Sequence, residues 1–336
     1  MNKKVELSIL DPICDTYHHI GGGQAVFKDN PSIINWYLNE SISMFCNVKF
    51  LDGYTTPELY IKNAAYWENP HFDAVLLNAK FINGCTNRLI RNFLDAGYFV
   101  FFGEIDDYYI EGKTWYKTRH FSHDGLITGY DQSDKTFTIF AYDKDWKYRQ
   151  FKISQKSFEK ARKAMYSKAS VFKWYGVKPK KHTVELDLRR ILDNLRQDLD
   201  PMCTSYSMWG EEKVCGIVVH DYIVKYFNKI LDGSIPYKRI DWRVLRALWD
   251  HKKLMLLRIQ AIEKALNLSN DLSVQYTKIL EKTNNMRLQY MTYCGKRRDS
   301  ILVSIKNNIL LIRESERKII SALIEIMALR LNMEDL

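Results

Sequence analysis

Phe121-Ser122-His123-Asp124-Gly125-Leu126-Ile127-Thr128-Gly129-Tyr130-Asp131 begins the stretch that decides the fold. The apolar run Gly125 to Tyr130 is followed by Asp131-Gln132-Ser133-Asp134, then by a second run from Thr136 to Tyr142. Asp143-Lys144-Asp145 separates that run from a third, Lys147 to Ile153. Asp and Ser side chains bond their own backbone in turns, whereas β-branched and aromatic residues suit a pleated surface. The pattern predicts an antiparallel meander. In such a pair the start of one strand and the end of the next lie at the same sheet edge. His123 heads the first strand and Asp143 ends the second, so the carboxylate is expected to orient the imidazole. Asp145 is the alternative orienting group.

The flanking sequence is helical. Asn30-Pro31-Ser32 starts a predicted helix, with Ser32 as cap and Ile33, Ile34, Trp36, Tyr37, Ile42 and Phe45 as its apolar face. Asn87 to Asp95 reads as a helix closed by Ala96-Gly97, where glycine suits a left-handed exit. Tyr98 to Phe102 reads as a buried strand, and Gln155 to Tyr166 as another helix. Lys178-Pro179-Lys180-Lys181 reads as a linker. Beyond it no proline follows Pro236, and Gly295 is the only glycine after Gly233. So few breakers imply long helices. Ile305, Ile309, Ile312, Ile319, Leu323 and Ile326 trace one face of a helical bundle, interrupted by Glu316. The expected class is α+β, with residues 1–176 as one region and 182–336 as a mainly helical one.

Composition excludes several classes. The 336 residues are 46% hydrophobic and 13% aromatic, enough to bury a core and too apolar for a disordered chain. The N-terminus lacks the apolar run of a signal peptide, and no segment is apolar for the eighteen or so residues a membrane helix needs. A soluble, cytoplasmic protein is expected. Six cysteines form no C-x-x-C pair, which argues against a disulfide framework or a zinc site. Residues 1–170 carry 21 Lys/Arg against 20 Asp/Glu, whereas residues 171–336 carry 29 against 20. The basic excess lies in the helical half and calls for a partner or another explanation.

No nucleotide-binding or zinc-protease motif is present. Gly21-Gly22-Gly23 lacks the lysine of a phosphate loop and reads as a close-packing stretch. His18 and His19 would diverge by about 100° on a helix, poor geometry for sharing a metal. The informative feature is the order Cys14, His123, Asp143. A free thiol is only a few per cent ionised at neutral pH, and a helix N-terminus and an adjacent imidazolium stabilise the thiolate. Pro12 suits a turn into such a helix.

That order, with Gly125-Leu126-Ile127-Thr128-Gly129-Tyr130-Asp131 after the histidine and Asn87 to Val100 before it, resembles papain-like enzymes of the bacteriocin-processing-peptidase type. With Asn35-Trp36-Tyr37-Leu38-Asn39-Glu40-Ser41-Ile42 following the cysteine and a helical half following the catalytic one, it resembles papain-fold acyltransferases and amide synthases of natural-product biosynthesis more narrowly. The butirosin-pathway acyltransferase and the closthioamide amide synthase are examples, and members occur beside nonribosomal-peptide genes. The resemblance spans residues 8–155. It departs at one point: papain-like peptidases place a glutamine shortly before the nucleophile, residues 1–13 contain none, and Gln24 lies on the other side of Cys14.

The resemblance implies a papain-like fold and a Cys14–His123–Asp143 triad. Cys14 would take an acyl group from a thioester on the phosphopantetheine arm of an acyl or peptidyl carrier protein and pass it to a small amine. No cofactor of its own, nucleic acid or membrane is implied. Lys252, Lys253 and Arg258, or Lys296-Arg297-Arg298, are the expected contacts to the acidic carrier. The alternatives are a papain-like peptidase and a non-catalytic basic helical binding protein.

Overall fold

A computed structural model describes residues 3–52, 56–78, 85–166, 173–200, 206–208 and 211–333. Cys203 lies outside the described residues. In chain order the first elements are β1 (Lys4–Glu6), α1 (His18–Ala25), α2 (Ile34–Glu40), β2 (Met44–Asn47), β3 (Tyr60–Ile61) and β4 (Phe72–Asn78). Next come α3 (Thr86–Asp95), β5 (Phe99–Asp106), β6 (Ser122–Asp131), β7 (Thr136–Tyr142), β8 (Tyr148–Ser154), α4 (Gln155–Tyr166) and β9 (Lys173–Pro179). The remainder comprises α5 (Leu188–Leu199), β10 (Tyr206–Met208), β11 (Glu211–Cys215), α6 (Val219–Leu231), α7 (Val244–Ala265), α8 (Asp271–Lys296) and α9 (Asp299–Met333). The chain is α+β with a mainly helical C-terminal half. Among the described residues, no helix is long and apolar enough to cross a membrane.

Two compact units divide the chain, and the division is not one cut near residue 180. Met1–Ile33 joins Ala65–Val184, while Ile34–Ala64 joins Glu185–Leu336. Buried hydrogen bonds explain the exchange. Arg258 on α7 donates to the carbonyls of Leu38, Tyr37 and Ser41 at 2.7, 3.1 and 2.8 Å, and β2 pairs with β11.

In the first unit an antiparallel sheet runs β4-β9-β5-β6-β7-β8, with β1 also paired to β6. The meander β6-β7-β8, helix α3 with Gly97 at φ +81°, and helix α4 form where the sequence places them. Ile105, Ile127, Phe137, Ile139, Phe158 and Trp174 form the core beneath this sheet. The expected linker at Lys178-Pro179 is instead the end of β9, in register with Asp73 and Phe72. Pro179 is tolerated because it closes the strand, and the Lys178 amine turns aside to the Ala96 carbonyl at 2.9 Å. Helix α1 carries the glycine cluster as a packing face. A Cβ on Gly22 would lie 2.5 Å from the Phe101 ring, and one on Gly21 would lie 2.8 Å from that of Tyr148.

The second unit has a four-stranded sheet, β10-β11-β2-β3, and the long helices α7, α8 and α9 of 22, 26 and 35 residues. The helix expected from Ser32 through Phe45 stops at Glu40. Phe45 pairs with Cys215 and Tyr60 in the sheet, so the backbone partners of β11 and β3 override the helical apolar spacing. Ser32 does not cap it, since its hydroxyl donates to Asn30 and accepts from the Val184 amide. Ile305, Ile309, Ile312, Ile319 and Leu323 are buried as the spacing predicts.

Glu316 breaks that seam without facing water. Its Oε2 is 2.5 Å from Lys252 Nζ, its Oε1 accepts from the Tyr276 hydroxyl, and His220 Nε2 lies 3.3 Å from Oε2. Lys252 and Arg258 are both 0% exposed, which corrects their expected place on a carrier-docking surface. Their charges are used internally, on Glu316 and on the carbonyls of residues 37–41.

Candidate active site

A bulge sets the geometry. Along β5 and β6, Phe102 is opposite Gly125 and Ile105 is opposite His123, so Gly103 and Glu104 together face Asp124. The extra residue bends β5 and re-aims the side chains beyond it. Asp106 and Asp107 then reach different histidines. Asp106 Oδ2 meets His120 Nδ1 at 2.6 Å, and Asp107 Oδ2 meets His123 Nδ1 at 2.5 Å.

The Asp107 carboxylate is 1% exposed, and its other oxygen lies 3.8 Å from the buried amine of Lys113. Burial pushes the Lys113 amine below its ordinary value, with Asp107 opposing. Burial also holds His123 below the ordinary imidazole value, against its hydrogen bond to Asp107. With Nδ1–H donated to Asp107, the lone pair of the neutral ring is on Nε2.

The expected carboxylate is elsewhere. Asp143 Oδ1 accepts from the amides of Asp145 and Lys147 at 2.8 and 2.9 Å, and Oδ2 accepts from Arg149 Nε. These bonds hold its carboxyl below the usual range even though burial works the other way. Asp145 keeps a 54% exposed side chain, 3.8 Å from Arg149. Neither orients His123. The turn between β7 and β8 uses Asp143 as its own cap, and Asp107 takes the expected role.

Cys14 is 1% exposed and stands in the loop ahead of α1, not in the first turn of that helix. Its amide donates to Gln24 Oε1 at 2.8 Å. That bond fixes the side-chain amide of Gln24, whose Nε2 is buried with no hydrogen-bond partner. A donor that sequence order had set aside therefore sits beside the cysteine.

The next residue ties this loop to the histidine. The Asp15 carbonyl accepts from the Tyr142 hydroxyl. The rings of Tyr142 and Tyr148 stack on His18 at 5.4 and 5.3 Å, and His18 lies 5.7 Å from His123. The Cys14 loop and His123 thus meet one aromatic cluster. His18 Nε2 faces the Tyr142 amide at 3.3 Å, so its Nδ1 carries the proton donated to Asp124 Oδ1 at 2.9 Å. Burial raises the Asp124 carboxyl, but the histidines around it, His18 foremost and then His19 and His123, together hold it below its ordinary value.

His19 turns the other way, stacked on Tyr17 and Trp67 at 5.5 and 5.2 Å, so the adjacent histidines diverge. Among the described residues, no group of three His, Cys, Asp or Glu is placed to hold a metal.

Sequence reasoning missed Asp107, Gln24, His18 and Asp124 as site residues. The available signal for Asp107 was the acidic doublet Asp106-Asp107 a few residues beyond the apolar run Phe99 to Phe102. No protein-family model matches the chain, and no curated protein matches it either.

Proposed function

We propose that the protein is an amide-forming cysteine acyltransferase with a papain-like catalytic unit, acting on a thioester borne by a carrier protein in secondary-metabolite assembly. The observation that carries this reading is the Asp107–His123 hydrogen bond beside the Cys14 loop. Asp107 fixes the imidazole with Nε2 as base, and His123 takes the thiol proton. The Cys14 sulfur attacks the thioester carbonyl. The bond to the pantetheine sulfur breaks, and that thiolate receives the proton from His123. An amine then attacks the acyl-Cys14 carbonyl and gives its proton to His123. The carbon–sulfur bond breaks, and the proton returns to Cys14.

Gln24 Nε2 donates to the oxygen that becomes negative in each step, in place of the Cys14 amide, which Gln24 Oε1 occupies. No nucleotide is required because the thioester is already activated. Lys296, Arg297 and Arg298 are the docking contacts for the acidic carrier. All three are exposed, where α8 ends with Arg297 at φ +52°. Intact mass after incubation with acyl-loaded carrier protein tests the reading. One acyl increment is expected on the native chain and none on Cys14→Ala. No adduct on the native chain, or an equal adduct on the variant, overturns it.

A further inference from the structure

Lys113 stands in the connection from β5 to β6 and takes no part in the proton transfers above. It is 3% exposed, a depth at which lysine is rare unless paired. Its Nζ lies 3.8 Å from Asp107 Oδ1, and neither atom has a hydrogen-bond partner among the described residues. The link between them is therefore one of charge, which burial leaves largely unscreened. The backbone around the lysine is fixed on both sides. Gly112 takes a left-handed turn at φ +90°, and its carbonyl accepts from the Lys144 amide at 2.6 Å. The Thr114 hydroxyl donates to the Asp143 carbonyl at 3.3 Å. The turn that Asp143 builds between β7 and β8 thus grips the neighbours of Lys113.

Asp107 spends one oxygen on His123 Nδ1 and turns the other toward the Lys113 amine. A buried carboxylate with an imidazole as its sole cation would draw a proton onto that imidazole. An ammonium on the other oxygen opposes a second positive charge, and Lys113 acts on His123 in that sense, after burial and against Asp107. The other titratable groups around His123 are His18 of α1, whose ring lies 5.7 Å away, and Asp124, next to it on β6. Tyr142 of β7 and Tyr148 of β8 stack on His18. Lys113 itself is faced by Asp107, Asp124 and Asp143. We infer that Lys113 is a positioning residue for acyl transfer: its ammonium secures Asp107 as the carboxylate holding His123 Nδ1–H, and keeps His123 neutral until the Cys14 proton arrives. The inference rests on the acyltransfer reading for its kinetic consequence, and the charge relation stands apart from it.

The test uses the full chain. On the native protein, nitrogen NMR of Lys113 Nζ should report an ammonium at neutral pH, and a neutral amine there overturns the inference. Lys113→Met removes the charge and keeps the length, and Lys113→Gln is the second variant. In each, the NMR titration of His123 should move to higher pH. Acylation of Cys14 by an acyl-pantetheine should slow by ~10-fold on the acid limb, which moves the same way, with the KM for the donor unchanged. A lower denaturant midpoint with the His123 titration and the rate profile unmoved would make Lys113 structural only and overturn the inference. Absence of acyl-Cys14 on the native chain overturns the acyltransfer reading instead, and the two NMR measurements still decide the charge relation.

Discussion

Asp107 Oδ2 lies 2.5 Å from His123 Nδ1, although the two residues are sixteen apart in sequence. The bulge at Gly103 and Glu104 brings them together, and it makes Asp107 and Asp143 separable by mutation. Asp107→Asn should lower acyl transfer by ~10³-fold or more, since an amide lets the imidazole adopt the wrong tautomer. Asp143→Asn should leave the rate within a few-fold and cost about 2 kcal/mol of stability through its lost charged turn bonds. Single-turnover rates and denaturant midpoints on both variants check this. The opposite ranking would return the orienting role to Asp143.

Gln24→Leu should slow acylation of Cys14 by ~10²-fold, the usual loss for one oxyanion donor. A fall in rate with unchanged carrier affinity is the expected signature. A rate equal to the native one would assign the donor elsewhere.

Reversing charge at Lys296, Arg297 and Arg298 should raise the KM for carrier-borne substrate and spare an acyl-pantetheine. Exposed charges act mainly on encounter and are screened beyond ~8 Å at physiological salt. The native advantage of the carrier-borne donor should shrink as salt is raised. Equal salt dependence for the two donors would remove docking from this cluster.

Glu316→Gln strands the Lys252 ammonium inside the second unit and should cost about 3–5 kcal/mol. The double change Glu316→Leu with Lys252→Met replaces both charges by apolar groups and should recover most of it. Urea unfolding of the single and double variants gives the comparison. A double variant as unstable as the single would mean that the pair contributes more than mutual neutralisation.

The same cluster sets an acid dependence. Burial, with Lys252 adding to it, lowers His220 and His251 from 6.5 to about 4 and about 3. Burial, with Glu316 adding to it, raises Asp198 from 3.8 to about 7. Between about pH 5 and 6.5, above the range where Glu316 titrates in either state, the unfolded chain holds two imidazole protons that the folded chain lacks, and the folded chain holds one carboxyl proton that the unfolded chain lacks. The unfolded state binds the larger number, so this cluster's stability falls on acidification through that window, by up to ~1.4 kcal/mol per pH unit. Replacing both histidines by Gln leaves Asp198 alone and should reverse the sign of the cluster's contribution. Stability against pH for native and double-Gln chains, taken as a difference, reads it directly. A difference flat from about pH 5 to 6.5 would dismiss the histidines.

What the sequence determined by itself was local. The turns at Asp131–Asp134 and Asp143–Asp145, the glycine exit after Asp95 and the breaker-free helical half are specified by neighbours a few residues apart, and each forms as read. The cysteine and the histidine were visible as reactive residue types. Partners supplied by distant segments were decided only in the folded chain. The segment Ile34–Ala64 joins the helical unit because Arg258 caps its carbonyls, two hundred residues away in sequence. Phe45 becomes strand because β11 offers a ladder, and β9 closes the sheet with a lysine and a proline that composition assigns to a linker. Lys252 and Arg258 look like surface charges until Glu316 and the carbonyls of residues 37–41 surround them. The choice of Asp107 over Asp143 is of the same kind. A bulge depends on how two strands pair, and no spacing along one strand encodes which carboxylate the pairing will bring to the imidazole.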